Sequence, residues 1–419
     1  MRYTIVHAAD LHLDSPLLGL ERYEGAPVEQ VRGASRRALE NLVQLCLDED
    51  AKLLLIAGDL YDGDWRDYTT GLFFAAQMAR LAETGTRVVW IRGNHDAQSK
   101  VTRHLPLPSH CVELGTRKAE THLVDDLNVA VHGRGFATRA VTEDLSASYP
   151  PPIAGALNIG LLHTALSGRR GHAAYAPCDV KALEARGYDY WALGHVHQRE
   201  VVQEAPYVVF PGNLQGRHVR ECGPKGATLV RVRDDAIISV EPRVLDVARF
   251  ARLDVDVSAA SDASDAVELS VRALRESMNE AEGRPLCARV ALTGRTPAHG
   301  ALLADPERTR ALVQSRANEI QGGDAWVESV RFETSLPIDL DALAQREDSI
   351  GQVVRALSVL ETDADARGAL LAELSEVERA LPYELRLAEL GIALDDDEAT
   401  GALMRDVSRR LLPRLLEEP

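Results

Sequence analysis

Five short stretches carry the side chains from which a reactive site is most readily built. "AADLHLD" offers Asp10 and His12, "IAGDLYDGD" offers Asp59, "IRGNHDAQ" offers Asn94, His95 and Asp96, "GLLH" offers His163, and "GHVH" offers His195 and His197. Carboxylate, imidazole and amide oxygen without thiolate form a donor set for borderline or hard divalent ions such as Mn, Zn or Fe. The seven candidate ligands Asp10, His12, Asp59, Asn94, His163, His195 and His197 are too many for one ion but suit two, if one carboxylate bridges. Two such ions roughly 3.5 to 4 Å apart stabilise both the attacking and the leaving oxygen of a phosphoryl displacement. Residues two apart in an extended segment point to the same side, so His195 and His197, like Asp10 and His12, can reach one polar site.

Each stretch follows a short apolar run: "YTIVHAA", "AKLLLIAG", "TRVVWIRG", "LNIGLLH" and "DYWALGH", with "LNVAVHGRG" as a further run between the third and fourth. Helical patterns lie between several of them, most clearly over 28–50, with Ala38, Leu42 and Leu45 at helical spacing, and over 68–84. Strand alternating with helix predicts a layered α/β fold. In open α/β sheets ligands gather beyond the carboxyl ends of strands, so five stretches spread from Asp10 to His197 should converge. The glycines before Asp59 and Asn94 lack a Cβ and let the backbone turn sharply at a strand end. After Gln198, "APYVVFPGN", "GATLVRV" and "AIISVEPRVLD" read as added strands or hairpins that close the sheet.

A second unit is expected from about Asp246. "ARLDVDVS" alternates, 262–282 is helical in pattern, "LCARVALTGR" alternates, "DPERTRALVQSRANEIQG" is helical, and "AWVESVRFE" alternates again. Beyond "SLPIDLD", three apolar stripes follow: Ile350, Val353, Val354, Leu357 and Leu360; Leu370, Leu371, Leu374, Val377 and Leu381; and Leu403, Val407, Leu411 and Leu415. The layout is therefore 1–245, 246–337 as a small α/β cap, and 338–419 as a helical tail whose stripes either pack on each other or dock a partner. The net charge of −17 disfavours a phosphate-backbone partner at first sight. Residues 338–419 hold 9 Arg against 19 Asp plus Glu, however, a net of −10 that leaves −7 for the first 337 residues. Bound divalent cations change the local field as well, so net charge does not decide the partner. Cys46, Cys111, Cys178, Cys222 and Cys287 show no CxxC spacing, which suggests packing residues, not a disulfide framework. With no secretory pattern at the start and no membrane-length apolar stretch, the expected location is the cytoplasm, without membrane association.

"DLHLD", "GDLYD", "GNHD", the His of "GLLH" and "GHVH" resemble the five motifs of the calcineurin-like metallophosphoesterases, whose fold is a layered α/β β-sandwich flanked by helices. The first two are similar to those of SbcD-type DNA-repair nucleases, and "FPGNLQGRHVRE" resembles the YhaO branch. The similarity covers the first 245 residues; over the cap and tail it rests on layout alone. The resemblance implies that Asp10, His12, Asp59 and His197 hold one metal and that Asp59, Asn94, His163 and His195 hold the other, with Asp59 bridging. It implies that His95 stabilises the transition state or protonates the leaving oxygen, with Asp96 orienting it. Some relatives place a second histidine after the bridging aspartate; this chain reads "GDLYDGDW", and Asp62 and Asp64 are expected to be loop carboxylates.

The function so implied is two-metal hydrolysis of phosphodiesters, foremost by a DNA exonuclease or endonuclease of repair. Manganese is the expected ion, with Zn, Fe or Mg as alternatives. DNA and an SMC-like ATPase of the SbcC type, docked through the C-terminal helices, are the expected partners, with a homodimer also compatible. Two other functions remain open: a phosphoesterase acting on nucleotides or other small phosphodiesters, and a non-catalytic scaffold binding DNA or the ATPase. Arg217 and His218 of "QGRHVRE", and Arg169 and Arg170 of "SGRRGH", either grip a substrate phosphate or lie in solvated loops. His7 and His132 fall inside strands and are expected to be packed, hydrogen-bonded rings.

Overall fold

The computed structural model describes residues 1–15, 33–62, 68–98, 107–167, 175–320, 325–337, 340–380 and 397–416. Its strands are, in chain order, β1 (Arg2–Ala8), β2 (Leu53–Ala57), β3 (Arg87–Ile91), β4 (Cys111–Glu113), β5 (Glu120–Val124) and β6 (Val129–Gly133). They continue with β7 (Leu157–His163), β8 (Tyr190–Gly194), β9 (Glu200–Glu204), β10 (Tyr207–Phe210), β11 (Gly226–Arg233) and β12 (Ala236–Val244). One sheet has the order β12-β11-β1-β2-β3-β4, parallel from β1 to β4, with β11 antiparallel to β1 and β12 antiparallel to β11. The other has the order β5-β6-β7-β8-β10-β9, parallel from β6 to β10 and antiparallel at both edges.

Side chains alternate across each strand and so serve two cores at once. Ile5 of β1, with Leu53, Leu55 and Ala57 of β2, packs with Ile159, Leu161, Tyr190 and Ala192 of the second sheet to form the sandwich interior. Val6, Leu54 and Ile56, the intervening residues, pack under Leu39, Leu42 and Phe74 of the helices Ala34–Asp48 and Tyr68–Leu81. Trp191 and Leu193, on the outer face of β8, join Phe136, Tyr149 and Phe210 in a third cluster. Strands buried on both faces read as the continuous apolar runs seen in the sequence.

The expected helix over 28–50 is described as Ala34–Asp48, its first residues lying outside the described set. The helix expected over 68–84 is α-helical to Leu81 and closes in a 3-10 turn, Ala82–Thr84. The added strands split: β11 and β12 extend the first sheet, whereas β10 joins the second beside β8.

The chain divides into two compact units, Met1–Arg252 with Ser277–Ala288 and Gly322–Glu328, and Leu253–Glu276 with Arg289–Gln321 and Ser329–Pro419. A three-stranded sheet of order β13 (Arg249–Asp256), β14 (Leu286–Arg295) and β15 (Ala325–Ser335) is accompanied by helices Ala263–Glu280, His299–Ala304 and Pro306–Asn318. Helices Leu340–Ala344, Ser349–Thr362, Ala364–Ala380 and Asp397–Leu416 follow. Val354 and Leu357 share an apolar cluster with Leu412, so the first and last of these longer helices pack on each other; Leu381, expected in the second stripe, lies outside the described residues. All five cysteines are free thiols, and no described helix is long and apolar enough to cross a membrane.

Candidate metal centre

Three backbone bonds join the loop after β1 to the loop after β2: Asp10 N–H to Gly58 O, His12 N–H to Asp59 O and Leu13 N–H to Leu60 O, each 3.0 Å. They hold Asp10 (φ 52°), His12 (φ 42°) and Asp59 (φ 51°) in the left-handed region, and His195 after β8 is left-handed too (φ 98°). Each such non-glycine residue stores of order 1–3 kcal/mol, sustained by its surroundings. The two glycines in these loops have different uses. Gly58 is itself left-handed (φ 91°), and a Cβ there would lie 2.6 Å from His163 Nδ1. Gly93 instead supplies space, since its missing Cβ would collide with the Asp59 carboxylate.

Strand ends bring the candidate ligands into two groups. Asp10, His12 and His197 present ligand atoms within 4.8 Å of one another, as do Asp59, His163 and His195. Asn94 belongs with the second group, its Oδ1 lying 3.0 Å from His163 Nε2 and 3.2 Å from His195 Nδ1. Asp59 faces both: its Oδ2 is 3.8 Å from His12 Nε2 and 3.5 Å from His163 Nε2.

Hydrogen bonds on the far side of two rings decide what they present to the centre. His163 Nδ1 lies 2.9 Å from Ala57 O, a pure acceptor, so Nδ1 carries the hydrogen and the Nε2 lone pair faces Asn94 Oδ1 and the Asp59 carboxylate. His197 Nδ1 donates to Glu221 Oε1 at 2.7 Å, which turns its Nε2 lone pair toward His12 Nε2 at 3.2 Å and Asp10 Oδ1 at 3.7 Å. Between His163 and Asn94 a lone pair thus meets a lone pair, and acceptors crowd the centre. Burial, then repulsion from Asp59, raises Asp10 well above the usual carboxylate range; burial pushes Asp59 up to about 6 and His163 down to about 3. A pair of divalent cations fits this donor set: positive charge among converging acceptors offsets both the desolvation and the repulsion.

His95 sits at the edge, its backbone N–H on Asp59 Oδ1 at 2.9 Å and its ring 4.9 Å from that of His12. The expectation that Asp96 orients it does not hold. Asp96 is fully buried and accepts from the backbone N–H groups of Gly93 (2.9 Å), Tyr61 (2.9 Å) and Leu60 (3.2 Å), because the 3-10 turn Asp96–Gln98 directs it inward. Asp62, expected to be a loop carboxylate, holds the ring instead, with Oδ1 2.7 Å from His95 Nδ1. Burial opposes the positive form of His95, but Asp62 and Asp59 raise its pKa nonetheless.

Of the residues read as either phosphate-gripping or solvated, Arg217 is committed within the site: Nη2 donates to Glu221 Oε1 at 2.8 Å and lies 3.2 Å from His197 Nδ1, and Nη1 lies 3.4 Å from Asp62 Oδ2. His218 is exposed beside Glu221, and Arg169 and Arg170 lie outside the described residues. Glu221 belongs to none of the five motifs; the signals the sequence offers for it are its place at the end of "FPGNLQGRHVRE" and its position four residues after Arg217. His7 bonds Tyr190 Oη and Leu193 O, and His132 bonds Thr121 Oγ1 and Asn158 Oδ1, both as packed rings.

Residues 3–199 match the calcineurin-like phosphoesterase family, and residues 250–335 match the middle domain of metallophosphoesterase YhaO. A Bacillus subtilis (strain 168) protein described as an uncharacterized metallophosphoesterase, YhaO, is 33% identical over 301 residues, which span 70% of this chain and 72% of that protein. Proteins named DNA double-strand break repair protein Mre11, from Methanopyrus kandleri and Haloferax volcanii, are 27% and 26% identical over 257 and 256 residues. Those segments cover 55% and 61% of this chain and 51% and 55% of the relatives. Similarity over most of the chain's length, joined to two facing sheets whose strand ends gather these ligand-type side chains, places the chain in the YhaO group of the calcineurin-like metallophosphoesterases, phosphoester hydrolases that bind a dinuclear metal site.

Proposed function

We propose that the chain is a metal-dependent phosphodiesterase that cleaves DNA, with manganese as its activating ion. One observation carries it: two ligand groups face the same Asp59 carboxylate, and a carboxylate-held histidine stands beside them. Asp10, His12, Asp59 and His197 would hold one ion, and Asp59, Asn94, His163 and His195 the other. When bound, the ions supply Lewis acidity at the phosphoryl group and make water a nucleophile near neutral pH. His95, whose Nδ1 is engaged by Asp62, keeps Nε2 for the departing sugar oxygen and gives it a proton. Glu221 fixes the tautomer of His197, as Ala57 O fixes that of His163. Similarity to proteins named for double-strand break repair favours DNA over a small phosphoester.

The test is cleavage of end-labelled duplex and single-stranded DNA, and of a small phosphodiester, by purified protein with Mn, beside His95→Ala. DNA cleavage that requires Mn and His95 is the expected result. Hydrolysis of the small diester alone would move the assignment to a nucleotide-type phosphoesterase, and silence on every substrate would favour a scaffold.

The same proposal extends to the layout. Residues 1–245 form the catalytic domain, 246–337 a cap, and 338–419 the docking region for an SMC-like ATPase, where Val359, Val407 and Leu411 expose apolar surface. Replacing Val359 and Leu411 together by Asp should abolish stimulation by that ATPase while hydrolysis of the small diester persists; undiminished stimulation rejects this docking face.

A further inference from the structure

A continuous run of polar contacts links His197 to His95. His197 Nδ1 meets Glu221 Oε1 at 2.7 Å, and Arg217 Nη2 donates to the same oxygen at 2.8 Å. Arg217 Nη1 reaches Asp62 Oδ2 at 3.4 Å, and Asp62 Oδ1 meets His95 Nδ1 at 2.7 Å. Each carboxylate is tied down by further donors: Glu221 Oε2 accepts from Arg217 N–H at 2.8 Å and Asn213 Nδ2 at 3.0 Å, and Asp62 Oδ2 accepts from the Ser15 hydroxyl. The side chains of Arg217 and Asp62 are each 16% exposed and that of Glu221 is 5% exposed, so these charges are screened little by water. Burial alone would raise Glu221, yet His197 and Arg217 hold it well below the usual carboxylate range.

A planar fork with several N–H groups can hold two carboxylates in fixed relative positions, which a single ammonium cannot. With its fork directed at Glu221 and Asp62, and with Nη2 also 3.2 Å from His197 Nδ1, Arg217 acts through other side chains, the His197 ring among them. We propose that Arg217 is a positioning residue that couples the His197 side of the metal centre to the orientation of the His95 ring, through Glu221 and Asp62. The proposal rests on reading His197 as a metal ligand and His95 as the acid. Loss of Arg217 frees Asp62 from one anchor, so the His95 ring reorients. It also leaves Glu221 with one partner fewer, so His197 is held less firmly.

The test uses the full chain, metal-free and labelled with 15N at histidine. Imidazole resonances are recorded for wild type, Arg217→Met, Arg217→Lys, Glu221→Gln and the Arg217→Met/Glu221→Gln double variant. Mn binding is measured by calorimetry on the same samples. Arg217→Met should move the His95 and His197 resonances together and weaken Mn binding about 10- to 100-fold, the range found for outer-shell partners. Arg217→Lys, which keeps the charge and loses the fork, should recover Mn affinity only in part and leave His95 displaced. Glu221→Gln should move His95 when Arg217 is present and not when it is Met. An unmoved His95 in Arg217→Met overturns the proposal, as does an equal shift from Glu221→Gln in both backgrounds. If Arg217→Met does not fold, a folded Arg217→Lys with wild-type His95 resonances overturns it equally. Failure of the underlying assignment shows elsewhere, as wild-type protein that binds no Mn or as a His95→Ala variant with undiminished phosphodiesterase activity.

Discussion

Asp62 Oδ1 lies 2.7 Å from His95 Nδ1, although Asp62 is thirty-three positions earlier in the chain and Asp96 is its immediate neighbour. The carboxylate next in sequence builds the loop, and the distant one serves the ring. That division separates chemistry from stability and makes the two aspartates distinguishable by substitution.

Asp62→Asn keeps the volume and removes the charge that fixes the His95 ring. Phosphodiester hydrolysis should fall about 10- to 100-fold in kcat, with Mn stoichiometry close to wild type. Steady-state kinetics beside metal analysis decides it; unchanged kcat would show that Asp62 does not serve the reaction.

Asp96→Ala should act on stability instead. It strands the buried N–H groups of Gly93, Leu60 and Tyr61, and unmade buried hydrogen bonds cost about 1–3 kcal/mol each. Urea unfolding should show a loss of several kcal/mol, and a variant as stable as wild type would contradict the role given to this carboxylate.

Gly58→Ala places a methyl group against His163 Nδ1 on a left-handed backbone. The ring must move off Ala57 O, so one of the two Mn ions should be lost from the protein. Metal content after dialysis is the readout, and two retained ions would refute the expectation.

Asp59→Asn weakens the carboxylate that faces both groups, and should reduce the Mn content by both ions, whereas His195→Ala should release one. Mn at about 100 times its dissociation constant stabilises the fold by about 2.7 kcal/mol per site, so chelation should lower the melting temperature of wild type and hardly affect Asp59→Asn. Equal chelator effects on the two proteins would remove Asp59 from the shared position.

Stability in acid should depend on His7. Burial pushes its pKa from the ordinary 6.5 down to about 3, so between these values the unfolded chain binds a proton that the native ring refuses. The stabilisation is complete above pH 6.5 and declines as pH falls toward 3, by up to about 1.4 kcal/mol per pH unit. His7→Gln should flatten this limb in unfolding experiments at pH 6 to pH 4; parallel curves for variant and wild type would exclude the contribution.

The strand ends are legible in the sequence because β1, β2, β7 and β8 are buried on both faces and therefore announce themselves as apolar runs. β4, β5 and β9 give no such signal: they are short, largely half-exposed edge or near-edge segments with little apolar pattern. The histidine pair shows a different limit. Two residues apart in extended chain point one way, but His195 is left-handed, and the structure puts His195 with Asp59 and His163 and His197 with Asp10 and His12. Periodicity carries no information about one unusual φ. Glu221 is hidden for a related reason, since its carboxylate acquires meaning only from His197, twenty-four residues earlier.

The left-handed backbone at Asp10, His12, Asp59 and His195 sets the candidate metal centre and durability against each other. Glycine would occupy such conformations with less strain, and it would remove a buried charge or a bulky ring. Selection for heat resistance alone would therefore erode the centre first and leave the sandwich core intact. Proteins of this fold that have lost their chemistry should be recognisable by relaxation at these four positions, long before any change in the β-strands that carry them.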